Sequence, residues 1–115
     1  MDEWPDWVHQ LPSIDTAYPG GRGHLLASEH GQVVLWSFPS GATVPCHRHG
    51  PQIGVVICGS VELSLGSETR MLSAGESFSL ADHQPHAATI APGTLVIEVF
   101  ADPDRHTATT PQAIR

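Results

Sequence analysis

From Arg22 to Phe100 the chain is a succession of short apolar or alternating runs, and that cadence limits the fold more than any other feature. The runs are RGHLLA, QVVLWSF, the segment starting at Gln52, SVELSLG, ETRMLS, SFSL, HAATI and TLVIEVF. Turn-forming residues separate them, notably Gly31, Pro39-Ser40-Gly41, Gly59, Gly66-Ser67, Ala74-Gly75 and Pro92-Gly93. Glycine tolerates the left-handed backbone that tight turns demand, and proline presets a turn's first angle, so these junctions read as strand ends. Many short strands with almost no helical periodicity predict an all-β sandwich or barrel. A chain of 115 residues holds one such core and not two.

Alternation within the runs assigns faces. Gln52, Gly54, Val56 and Cys58 share one side, which is expected to enter the barrel and to place Cys58 along its cavity. Val61, Leu63 and Leu65 alternate with Glu62, Ser64 and Gly66, so that strand has a buried side and a wet one. In the last run Val96, Glu98 and Phe100 oppose Leu95, Ile97 and Val99. Apolar residues on both sides predict cover by a second sheet or by a partner subunit.

The flanks differ from this core. Residues 1–21 carry Trp4, Trp7, Tyr18 and three prolines, which predicts an irregular arm anchored to the barrel by its tryptophans. The segment 106–115 is polar and is expected to be a flexible, solvated tail. The predicted organisation is therefore an arm over 1–21, a barrel over 22–105 and a tail over 106–115.

Charge and the first residues narrow the partners. Five basic residues against 12 acidic ones give a formal charge of -7, and lysine is absent. Nucleic acid is not an expected partner of such a surface. The start, MDEWPDWVHQLP, lacks a basic segment followed by an apolar one, and no run approaches membrane-spanning length, so a cytoplasmic protein without membrane contact is expected. Cys46 and Cys58 then read as free thiols.

Chemistry enters at GATVPCHRHGPQIGVVICG, from Gly41 to Gly59. On extended backbone the two-residue period points His47 and His49 to one side and turns Arg48 and Cys46 away. Pro45 and Pro51 favour extended neighbours. Such a pair is either half of a metal site or two histidines with other partners. The segment GESFSLADHQPHAATI, Gly75 to Ile90, supplies a third histidine, His86. His83 is a turn residue or a nearby acid or base, His24 on its strand is a candidate to point inward, and His9, His30 and His106 are assigned no role.

These two segments resemble the two motifs of the cupin superfamily. Gly41, His47, His49 and Gly59 fall in the places of the first motif, with Gln52 where its Glu stands and one residue fewer after the second histidine. Gly75 and His86 match the second motif, while Ala81, His83 and Ile90 replace its Pro, Gly and Asn. The resemblance covers roughly residues 20 to 105 and implies a single-domain double-stranded β-helix, the jelly-roll barrel, often as a homodimer. It also implies a divalent transition metal, Zn, Ni, Fe or Mn, held by His47, His49, His86 and Gln52. Gln52 otherwise reads as a strand-edge amide. Four neutral ligands would leave the ion's charge uncompensated and favour a small anionic substrate.

Within the superfamily the chain is similar to small cupins that turn 4,5-unsaturated uronates into linear keto forms. Those have a QIGYVLEG-like run, here QIGVVICG, and a DVFSPxR-like run, here EVFADPDR. The resemblance implies catalytic roles for Glu98, in the place of an Asp, and Arg105, which follows after one extra residue, with Phe100 as the aromatic one between. Without that resemblance Glu98 and Arg105 read equally as a structural ion pair or as an exposed pair at the barrel rim. Three functions follow: metal-assisted proton transfer or isomerisation of a small anion, an iron-dependent dioxygenase, and a non-catalytic module that binds a small ligand.

Overall fold

The structure, a computed structural model, describes residues 3–16 and 18–109. Nine strands follow one another: β1 (Arg22–Ser28), β2 (Gly31–Phe38), β3 (Ala42–His47), β4 (Gln52–Cys58), β5 (Ser60–Leu65), β6 (Glu68–Ser73), β7 (Ser77–Leu80), β8 (His86–Ile90) and β9 (Thr94–Phe100). All neighbours pair antiparallel, in a five-stranded sheet ordered β1-β2-β9-β4-β7 and a four-stranded sheet ordered β3-β8-β5-β6. The two sheets face one another as a jelly roll, the expected architecture.

Glycine allows two of its tight points. Gly59 joins β4 to β5 at a φ of 85°, where any Cβ would also collide with the Thr94 side chain. Gly54 lies under the Phe78 ring, which occupies the space of a side chain there.

Between the sheets lies the main core, built from Val34, Trp36 and Phe38 of β2, Val56 of β4, Val61 and Leu63 of β5, and Val96 and Phe100 of β9, with Val56, Val61 and Leu63 on the sides the alternation had turned inward. A second cluster covers the outer face of the larger sheet, where Trp4 and Val8 pack on Leu35 and Leu95. Val8 belongs to a short 3-10 helix, Asp6–Gln10, and Trp4 donates its indole N–H to the Trp36 carbonyl at 3.1 Å. The arm therefore supplies part of the cover that the two-sided β9 called for. Trp7 does not take part: its side chain is 60% exposed, because a 3-10 turn has three residues per turn and aims the position before Val8 at solvent.

Four expectations about placement are corrected. His49 lies beyond the end of β3, after a register shift between Val44 and His47. Cys58 faces outward and joins the Trp4 cluster. A bulge opposes two residues of β4 to one of β9, so that Val56 pairs with Val96 but Cys58 with outward-facing Leu95, and the alternation flips there. His24 also faces outward, its Nδ1 3.2 Å from the Leu11 carbonyl and its ring edge-on to His9.

The fourth correction concerns residues 106–109, which are tied to the barrel instead of forming a free tail. Ile14 bridges Ala108, the Asp15 and Thr109 N–H groups donate to Thr107 and Ser13, and Ser13 in turn bridges His24 of β1. The arm and the C-terminal segment thus pair with each other and cover the open edge of β1, which satisfies backbone groups that would otherwise face water. The rest of the predicted tail, 110–115, lies outside the described residues. Among the described residues no helix is long and apolar enough to cross a membrane.

Candidate metal centre and cavity

A cavity of about 80 Å³ opens between the sheets, with Leu63, Leu80 and Val96 among its apolar lining and a ring of polar side chains at one end. That volume accepts several waters or the head of a small organic acid, since one water needs roughly 10–15 Å³ on this measure.

His47, His49 and His86 meet at the polar end. His47 and His86 are directly opposite in the β3–β8 pair, with ring centroids 4.3 Å apart, and His49 reaches back to within 4.9 Å of His86 and 5.2 Å of His47. One nitrogen from each ring lies within 4.8 Å of the others. The local backbone sets their orientation. Nδ1 of His47 lies 3.0 Å from the Pro45 carbonyl, Nδ1 of His49 2.7 Å from that of Gly50, and Nδ1 of His86 2.8 Å from that of Gln84. A carbonyl only accepts, so each Nδ1 carries the proton and donates, and each Nε2 keeps a lone pair for a cation. Burial holds His49 down to about 4, helped by the charges of Arg105, His86 and His47 and opposed by the Gly50 carbonyl. Burial lowers His86 as well, again with His47 and Arg105 acting in the same direction. Neutral imidazoles are the form a metal requires. This donor set fits a divalent first-row ion.

Gln52 faces this group from the other sheet. It is buried, at 5% exposure, and β4 is flanked by β9 and β7, so it is not an edge residue. Its Nε2 donates to Glu98 Oε2 at 2.8 Å, which leaves the amide oxygen, the atom suited to a metal, free of that bond. Trp36 Nε1 donates to Glu98 Oε1, also at 2.8 Å. The sheet register explains both contacts: Glu98 lies opposite Val34 and Gly54, so Trp36 and Gln52 are its diagonal neighbours on the two flanking strands. Burial raises the Glu98 carboxyl above its ordinary range, while the bonds from Gln52 and Trp36 and the Arg105 charge pull the other way. None of the four metal candidates is a carboxylate, yet one stands a single hydrogen bond behind Gln52.

Arg105 lines the same cavity, its guanidinium 5.7 Å from the Phe100 ring centroid. It forms no ion pair with Glu98 among the described residues, where the only close acid-base contacts are His30 with Glu29 and His83 with Asp82. The alternative of a structural pair is thereby removed. His83 sits on a surface turn at a φ of 57°.

Sequence reasoning missed three lining residues. Trp36 lay inside an apolar run, where an indole N–H bound to a carboxylate has no local signature. Tyr18, from the arm, reaches the cavity with its ring centroid 5.8 Å from that of His47. His106, placed in a solvated tail, packs edge-on against Trp36 at 5.6 Å and Phe100 at 5.0 Å and lines the cavity. Burial lowers its imidazole to about 4, together with Arg105 and His49.

Comparison with known proteins agrees with this geometry. The cupin domain model matches residues 34–101. The chain belongs to the cupin family. KdgF from a Halomonas species is 32% identical over 80% of this chain and 88% of its own, with a TM-score of 0.70. An RmlC-like cupin from Shewanella frigidimarina is 26% identical, covers 84% of this chain and 87% of its own, and has a TM-score of 0.72. The polyketide cyclase RemF from Streptomyces resistomycificus shares the fold alone, at 13% identity over 95% of this chain and 87% of its own, with a TM-score of 0.69. No curated protein matches the sequence.

Proposed function

We propose that this cupin is a metal-dependent enzyme that isomerises a small anionic substrate of the unsaturated-uronate class by proton transfer. The observation that carries the reading is Glu98: a buried carboxylate, fixed by Trp36 and Gln52, in the same cavity as three converging imidazoles. The similarity of QIGVVICG and EVFADPDR to the uronate-ketonising cupins, and the 32% identity to KdgF, support it.

His47, His49, His86 and the Gln52 amide oxygen would hold the divalent ion, which supplies Lewis-acid polarisation of a substrate oxygen. Arg105 neutralises negative charge that develops on the substrate as a proton leaves carbon. Glu98 takes that proton at Oε2, the oxygen nearest the Gln52 side, and returns it to the neighbouring carbon. Its raised affinity for protons brings it closer to working pH, as a general base and acid requires. The apolar walls exclude water from the exchange.

The five-stranded sheet also shows solvent a cross-strand row of Leu26, Val33, Val99 and Ile53, of which Leu26, Val99 and Ile53 are exposed. That face supports a homodimer, which sedimentation at several concentrations tests.

Glu98→Gln tests the enzymatic reading. Turnover of a 4,5-unsaturated uronate, followed by loss of the ultraviolet absorbance of its conjugated double bond, should fall by about 10²–10⁴-fold with metal content unchanged. Equal turnover in the variant removes Glu98 from the mechanism. Binding without turnover in the parent protein leaves the ligand-binding module, and oxygen consumption with iron bound would favour the dioxygenase.

A further inference from the structure

Two buried nitrogens on adjacent residues lack a partner. Arg105 Nε and His106 Nε2 are shielded from solvent and make no hydrogen bond among the described residues. Unpaired buried donors are uncommon, because each has given up water without a replacement. Both side chains line the cavity, and both lie against the Phe100 ring, the guanidinium at 5.7 Å and the imidazole at 5.0 Å from its centroid.

Their backbone is held deliberately in place. Gln32, at the start of β2, is 4% exposed. Its Nε2 donates to the Pro103 and His106 carbonyls at 2.9 and 2.8 Å, and its Oε1 accepts the His106 N–H at 2.8 Å. The three bonds fold residues 103–106 over the cavity and accommodate the extra residue before Arg105. The ring of His106 is then wedged edge-on against Trp36 and Phe100, which fixes where its nitrogen points.

We propose that His106 is a substrate-binding residue, and that its Nε2 and Arg105 Nε together grip one carboxylate of the substrate. A carboxylate is acceptor-only, so it satisfies both orphaned nitrogens at once, with His106 in the tautomer protonated at Nε2. The imidazole adds direction to what a lone guanidinium supplies as charge, and the pair selects a planar carboxylate over a neutral sugar. The proposal rests on the anionic-substrate reading above, and Gln32 is its positioning residue.

Acetate, the smallest carboxylate, is the probe. Zinc-loaded protein is titrated with acetate by calorimetry, and the ring nitrogens of His106 are followed by NMR, zinc being diamagnetic. Binding should shift the His106 Nε2 resonance, and His106→Phe, which keeps the edge-on packing, should weaken acetate about tenfold at equal zinc content. An unmoved His106 signal at saturation, or the same affinity in the variant, overturns the grip even if uronate turnover persists. Should His106→Phe fail to fold, the His106 signal in the parent protein decides alone. A protein that binds acetate through His106 yet turns over no uronate keeps the grip and sinks the uronate reading instead.

Discussion

The two walls of the cavity are built by different means. On the four-stranded side, His47 and His86 are cross-strand partners, and every imidazole is aimed by a carbonyl within two residues of it in sequence. On the five-stranded side, Glu98 is held by Trp36 and Gln52, 62 and 46 positions away, and His106 by Gln32, 74 positions away. One wall is preorganised locally for a cation; the other depends on long-range contacts and keeps unpaired donors for an anion. The contacts that aim the imidazoles and those that hold His106 share no residue, so the two should fail independently.

The largest break of that contrast is His86→Ala. It should abolish zinc binding at micromolar metal and remove turnover with it, a loss exceeding the roughly 10–100-fold that outer partners of a ligand cost. Metal analysis after dialysis measures this, and retained zinc would show that the three imidazoles are not the grip. A smaller effect is expected from Gln32→Leu, which strands two carbonyls and one N–H: a loss of about 1–3 kcal/mol in stability and a raised KM for the anion. Zinc affinity should not move. If it does, the two walls are coupled and the contrast is wrong.

The smallest effect is in the acid stability of the chelated protein. His49 and His106 are lowered from 6.5 to about 4 in the fold, so the unfolded chain binds more protons between those values. Their stabilisation is complete above 6.5 and is lost as pH falls toward 4. Glu98, raised from 4.5, acts oppositely, since the folded state keeps its proton longer and loses that advantage as pH rises. Denaturant melts from pH 7 to 4.5 should show falling stability, more steeply in Glu98→Gln, where the opposing group is gone. A flat profile in that variant would mean that these rings are not buried as described.

Much of this was legible beforehand where the physics is local. The short runs marked eight of the nine strands, β3 being the exception, and their alternation set Val96, Glu98 and Phe100 on one face of β9 against Leu95, Ile97 and Val99 on the other. It failed at Cys58, where a bulge reversed the alternation, and the expected anchoring of the arm by its tryptophans failed at Trp7, which the 3-10 turn leaves in solvent. Two histidines two residues apart, with a third at the start of HAATI, pointed to the candidate metal centre, although His49 reaches it from beyond the strand.

By itself, then, the sequence determined the strands, the family and the imidazole wall, because period, turn residues and motif spacing act over a few positions. Only the tertiary structure decided that Trp36 and Gln52 share Glu98, that the arm and residues 106–109 pair across the barrel, and that His106 enters the cavity. Those outcomes hang on sheet register and on one buried glutamine reaching the far end of the chain. No window of neighbouring residues encodes a contact of that range.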